Sequence, residues 1–257
     1  MPAIHRTDAS MSSNAPRRRT PRRPDARRPA GAPRALPSVL LGAVLLCAPT
    51  AHAFEDEELN AAQVLIYDTP HLAGTDAGQE IAYAWTETGG ADGALEDRAT
   101  LEVTAAHEDG RRDVTLDFLT GERRLELPAF EGWRGNPVLM ATLERFAQDF
   151  ATAGGGGALY FRNRMRDALA DAPSTEDVEL DWAGGTVAGT RIEFAPFVDD
   201  PYVGSRPGLA DATVRLALSD AVPGGVLAAA VESSGDGAAE GAEPFRRELR
   251  LDDGGAR

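Results

Sequence analysis

Residues 131–171, EGWRGNPVLMATLERFAQDFATAGGGGALYFRNRMRDALAD, decide how the rest of the chain is organised. Asn136 suits a helix N-cap, and Pro137 suits the first helical position, where a missing N–H costs nothing. From Pro137 to Ala151, Leu139, Leu143, Phe146 and Phe150 recur at i, i+4, i+7 and i+11, which places them on one narrow helical face. Gly154–Gly157 interrupts that pattern. A second helix then gathers Phe161, Met165, Ala168 and Leu169 on one side and Arg162, Arg166 and Asp167 on the other. On both flanks the apolar residues alternate with period two, as in strands. Two amphipathic helices therefore stand between two halves of a sheet, whose surface can bury their apolar faces.

Upstream, strands are expected at Glu80–Thr88 (Ile81, Tyr83, Trp85 on one face), Arg98–His107, Arg112–Leu119 (Val114, Leu116, Phe118) and Arg123–Leu127. Asp109-Gly110 suggests a type I′ hairpin between the second and third. Downstream, strands are expected at Asp177–Ala183 (Val178, Leu180, Trp182), Thr186–Phe197, Asp211–Ser219, Val226–Val231 and Phe245–Leu251. A short leading helix is expected within Phe54–Tyr67, where Glu55–Glu58 suits a helix N-terminus. Alternation with one apolar face is the mark of an antiparallel sheet covered on one side. The expected fold class is α+β: a strongly curved antiparallel half-barrel of about nine strands, with two mid-chain helices packed on the concave face. A closed barrel with an external helix pair is the alternative.

The first 53 residues read differently. Arginine and proline dominate Met1–Arg34, an apolar run follows at Leu36–Ala48, and Ala51-His52-Ala53 is a small-x-small cleavage pattern. We read residues 1–53 as a secretory signal peptide cleaved after Ala53, and 54–257 as one exported domain, periplasmic or secreted. The apolar run is shorter than the roughly 20 residues that span a bilayer, so no transmembrane anchor is expected in the mature chain. The whole chain carries a formal charge of −15. Removing nine arginines and two aspartates with the leader lowers the basic count from 26 to 17 and the acidic count from 41 to 39, a charge of −22. Such a surface repels nucleic acid and anionic headgroups. The single cysteine, Cys47, leaves with the leader, which removes disulfides, thiolate nucleophiles and Cys-ligated metals from the mature domain. The chain has no lysine, so Schiff-base and phosphate-loop lysine chemistries are absent too. No cofactor and no metal site is expected.

Candidate chemistry is sparse. His71, near Asp68, is the one arrangement resembling a base oriented by a carboxylate, and it carries a hydrolase reading. His107 ends a strand beside a hairpin and reads as solvent-facing. Ser205 lacks the second glycine of a nucleophile elbow, because Pro207 stands there. Asp199, Asp200 and Asp211 supply oxygen ligands without a calcium-loop spacing. Arg134, Arg162 and Arg166 are cations that suit an anionic headgroup. The apolar set Tyr83, Trp85, Phe118, Leu139, Leu143, Phe146, Phe150, Phe161 and Met165 reads as a core, or as a core with room for a lipid chain.

The order of elements resembles the periplasmic lipoprotein-carrier half-barrels, the LolA/LolB-like superfamily. The features concerned are an export signal, a short leading helix, a meander such as Ile81-Ala82-Tyr83-Ala84-Trp85, helices inserted mid-sheet, then further strands. That resemblance implies a non-enzymatic protein that holds acyl chains under helical lids, with a lipid or a lipidated protein as partner. An envelope assembly factor acting through its surface is the second reading.

Overall fold

The computed structural model describes residues 58–89, 93–171, 173–203, 209–234 and 244–256, all within the compact unit Glu55–Arg257. Residues 1–54, which include the segment read above as an export signal, lie outside the described residues, as do Ser205 and the acidic residues Glu55–Glu57.

The helix α1 (Ala61–Tyr67) is set by Asn60, whose side chain accepts from the Gln63 N–H while the Gln63 side chain accepts from the Asn60 N–H. This capping box satisfies two orphan donors, so the helix start rests on Asn60; its first turn holds no acid. The Asn60 amide also donates to the carbonyls of Leu169 and Ala170, tying α1 to the end of the later helix α3 (Ala158–Asp171).

Strands β1 (Glu80–Gly89), β2 (Leu95–Ala106), β3 (Arg112–Phe118) and β4 (Phe130–Trp133) form an antiparallel meander. The β2–β3 turn differs from expectation. Gly110 has φ +83° but Asp109 is not left-handed, and His107 bonds both Gly110 and Arg111. That is a type I turn with a glycine bulge, which needs only one residue at positive φ. The fourth strand also falls later than Arg123–Leu127. Gly121–Arg123 makes a 3₁₀ turn, Leu125 keeps a single bridge to Phe118, and β4 begins at Phe130.

After the helices α2 (Pro137–Gly154) and α3, strands β5 (Ser174–Trp182), β6 (Gly185–Phe194), β7 (Thr213–Leu218), β8 (Val226–Ser233) and β9 (Phe245–Ala256) form a second meander. The β5–β6 turn is a two-residue type I′ hairpin, with Ala183 at φ 49° and Gly184 at φ 77°. Gly189 in β6 is required by close packing: an added Cβ would lie 2.4 Å from the Leu218 carbonyl oxygen and from Leu180 Cδ1.

The two meanders join because β1 pairs with β9, which gives one nine-stranded sheet of order β4-β3-β2-β1-β9-β8-β7-β6-β5. The chain leaves the sheet at one edge, β4, and re-enters at the other, β5. The helix pair makes that crossing and covers the concave face. The inward residues of β1 show the alternation: Ile81, Tyr83 and Trp85 are buried, while Ala84 and Thr86 are exposed. Trp85 meets Phe118 edge-on at 6.0 Å and Phe146 of α2 at 5.9 Å. Phe150 meets Phe197 at 4.8 Å, and Phe161 of α3 packs on both. Such aromatic pairs add about 0.5–1.5 kcal/mol each beyond their area burial.

Polar groups fix α2 at both ends. Asn136 accepts from the Val138 N–H at 3.0 Å and donates to the Tyr83 hydroxyl at 2.9 Å and the Gly224 carbonyl at 2.8 Å. Near the other end, Asp149 pairs with Arg145 at 2.7 Å and with Arg247 of β9 at 3.1 Å. Arg247 also reaches Glu87, which accepts from the Trp85 indole at 2.8 Å.

Candidate functional site

The helix spacings give α2 two apolar stripes. Leu139, Phe146 and Phe150 face the sheet and are at most 1% exposed, as are Tyr83, Trp85, Phe118 and Phe161. These seven fill the space between sheet and helices. Pro137, Met140, Ala141 and Glu144 recur at i, i+3, i+4 and i+7 and face sideways. On α3, Arg162, Met165, Arg166 and Leu169 repeat the same spacing. Where these two stripes converge lies a cavity of about 360 Å³, closed by Tyr67 at the end of α1, Leu127, Phe130 of β4 and Phe194 of β6. Leu143 lines it as well.

The structure thus divides the expected site residues. Leu143, Met165, Arg162 and Arg166 come together on this cavity. Tyr83, Trp85, Phe118, Leu139, Phe146, Phe150 and Phe161 belong to the core and line none of it. Arg134 also stands apart, 3.8 Å from Asp68. Residues that sequence reasoning missed are Tyr67, Leu127, Phe130, Pro137, Met140, Ala141, Glu144, Leu169 and Phe194. The second stripe of α2 was there to be found on a helical wheel. Leu127 and Phe194 lie outside both helices, and no local pattern ties either of them to the cavity.

The cavity floor is apolar and its rim is charged. Arg162 grips Glu144 with two bonds of 2.6 and 2.7 Å, and Gln148 adds a third to the same carboxylate. The Arg162 bonds hold the Glu144 carboxyl below its ordinary range against a smaller opposing effect of burial, and the same bonds raise Arg162. Arg166 is less engaged: it is two-thirds exposed, and among the described residues its ion pair is to Asp167 at 3.7 Å. Tyr67 faces the same rim. Burial raises its phenol, and the nearby positive charge of Arg166 offsets part of that rise.

His71 is buried and its ring bonds the Leu65 carbonyl through Nε2 at 2.7 Å. Its Nδ1 is buried without a hydrogen-bond partner among the described residues, and no bond to Asp68 forms. Burial lowers its pKa; the Leu65 bond and the charge of Asp220 oppose that in part. His107 bonds Asp113 at 2.8 Å on the surface. Asp200 accepts from the Tyr160 hydroxyl and from the N–H groups of Tyr202 and Val203, with Arg164 at 2.8 Å. Asp211 accepts from Ser234. Among the described residues, no three His, Cys, Asp or Glu side chains cluster as metal ligands. A larger open trough, about 970 Å³, crosses the outward face of β1–β3 over Ala82 and Ala84, but charged Arg98, Asp117 and Arg124 wall it. Such walls do not shelter an apolar chain.

No protein-family model and no curated protein matches the sequence. Among solved structures, the lipoprotein LppX of Mycobacterium tuberculosis is similar, with 12% identity over 67% of this chain and 84% of that one and a TM-score of 0.27. The likeness is one of architecture, and no residue role or ligand follows from it. Among the described residues, no helix is long and apolar enough to cross a membrane.

Proposed function

We propose that this chain is an exported, non-enzymatic binding protein that holds an apolar, chain-like ligand, free or borne by a lipidated partner protein, in the cavity on the flank of its helix pair. The observation that carries this reading is the cavity itself, an apolar recess in a domain whose main core is otherwise filled. Its volume lies at the lower end of the roughly 300–1,000 Å³ found for small-molecule pockets. At roughly 30 Å³ per water it equals about a dozen water volumes, which suits one chain rather than several. Export rests on the Arg-rich, then apolar, leader; N-terminal sequencing of the mature protein should begin at Phe54, and an intact Met1 would overturn it.

Native mass spectrometry of the protein purified from its own cell envelope tests the binding reading. A lipid-sized adduct that is lost on denaturation is the expected result. A bare mass, with no uptake when a saturated fatty acid is offered, would refute it. The alternative of a factor acting through its surface draws on Leu159 and Val198, each more than 60% exposed. The hydrolase reading lacks a dyad, because the His71 ring is bonded to a main-chain carbonyl.

A further inference from the structure

The rim of the cavity, not its floor, carries information about the ligand's head. In a domain with more than twice as many acids as arginines, two of those arginines, Arg162 and Arg166, stand one helical turn apart on the cavity wall. They are not equivalent. Arg162 has spent its planar fork on Glu144, in the bidentate geometry that satisfies guanidinium and carboxylate together. Those two charges cancel, and the pair forms a fixed part of the wall. Arg166 keeps most of its donors in solvent, since Asp167 at 3.7 Å is too far for a hydrogen bond. Tyr67 lines the same mouth from α1, and a phenol is a hydrogen-bond donor at neutral pH.

We infer that Arg166 and Tyr67 form an anion receptor at the mouth of the helix-flank cavity, so that the protein selects single-chain amphiphiles with an anionic head, carboxylate or phosphate, over neutral or cationic ones. This rests on the proposal that the cavity holds an apolar chain. The chain enters between Met140, Leu143, Met165 and Phe130 while the head remains at the rim, where the exposed Arg166 guanidinium and a phenol each donate a hydrogen bond. A cationic head would lose both bonds and face Arg166 as a like charge. Free fatty acids and lysophospholipids share the required chemistry and differ in the acid at the head.

The test is isothermal titration of the mature protein at low ionic strength with dodecanoate, dodecyl phosphate, dodecanol and dodecyltrimethylammonium, each below its micelle concentration. One charge-assisted hydrogen bond at a partly exposed rim corresponds to a preference of about tenfold for the anions over the alcohol. That preference should shrink as salt is raised. Arg166→Gln should bring the anion-to-alcohol ratio close to one, and Tyr67→Phe should reduce it. Arg134→Gln, outside the cavity, should leave it at about ten. Tighter binding of the carboxylate than of the phosphate identifies a fatty-acid-like ligand, and the reverse order a lysophospholipid-like one; both support the receptor. Equal affinity for anions and alcohol, or an anion preference that survives Arg166→Gln, overturns the receptor while leaving the chain cavity standing. Binding of none of the four overturns both.

Discussion

Replacing Asn136 should disturb this fold strongly for so small a side chain. It is 1% exposed and uses every polar atom of its side chain. The Oδ1 atom caps α2 at the Val138 N–H, and the two Nδ2 hydrogens go to the Tyr83 hydroxyl and the Gly224 carbonyl. Three distant parts of the chain therefore meet at one amide: the helix start, the central strand β1 and the 3₁₀ turn Pro223–Gly225. Asn136→Ala removes an N-cap, a loss of about 1 kcal/mol. It also leaves the Gly224 carbonyl and the Tyr83 oxygen buried without their donor, at about 1 kcal/mol or more each. The expected loss is about 3 kcal/mol, a large part of the roughly 5–15 kcal/mol typical of a domain. Urea unfolding followed by tryptophan fluorescence should show a midpoint lower by about 1 M or more with an unchanged slope. Asn136→Asp separates capping from pinning. It keeps an acceptor for the Val138 N–H but turns a carboxylate toward the Gly224 carbonyl, so at neutral pH it should be no more stable than the alanine variant. A double-mutant cycle with Tyr83→Phe should give a coupling of about 1 kcal/mol. A fully stable Asn136→Asp variant, with no coupling to Tyr83, would show that the residue is a cap alone and refute the pin.

His71 gives a pH dependence of definite sign. Burial depresses its pKa in the folded state below the ordinary 6.5, so the unfolded chain takes up the proton first. Stability therefore declines as pH falls below about 6.5 and levels off once the folded-state pKa is passed; Asp220 moderates the effect. His71→Gln should flatten the dependence of urea midpoint between pH 7.5 and 5.5, and an unchanged slope there would rule out His71 as its source. Ala183 occupies a left-handed position, φ 49°, in the type I′ turn of the β5–β6 hairpin. A left-handed conformation costs an alanine roughly 1–2 kcal/mol, while asparagine tolerates it better. Ala183→Asn should raise stability by about 0.5 kcal/mol, read from thermal unfolding, and a lower midpoint would contradict the turn assignment.

Local physics made much of this protein readable from its residues. The side-chain period of a strand is two, so Ile81-Tyr83-Trp85 and Val114-Leu116-Phe118 declared their buried faces without any knowledge of their partners. Asn136-Pro137 declared the start of α2 because a cap and its first turn are neighbours in sequence. Signals that are local but ambiguous fared less well. Asp109-Gly110 fits both a two-residue type I′ turn and a three-residue loop with a glycine bulge, and Leu125-Leu127 alternates like a strand yet does not continue the ladder.

Within residues 131–171, the pattern of residues alone shows two helices that interrupt a sheet, each with an apolar face. It also placed Leu143 and Met165 with Arg162 and Arg166 among the site candidates. Which apolar residues are core and which line a cavity is set by three-dimensional packing. That choice depends on partners far away in the chain: Trp85 lies against Phe146, whereas Met140 shares its cavity with Phe194 and Tyr67. An apolar side chain has the same hydropathy whether its neighbours close over it or stop short. The β1–β9 pairing, which sets both sheet edges and hence the path of the helix pair, joins residues at opposite ends of the domain. No local pattern encodes such a contact, because what stabilises it is the surface buried when both meanders and both helices are in place together.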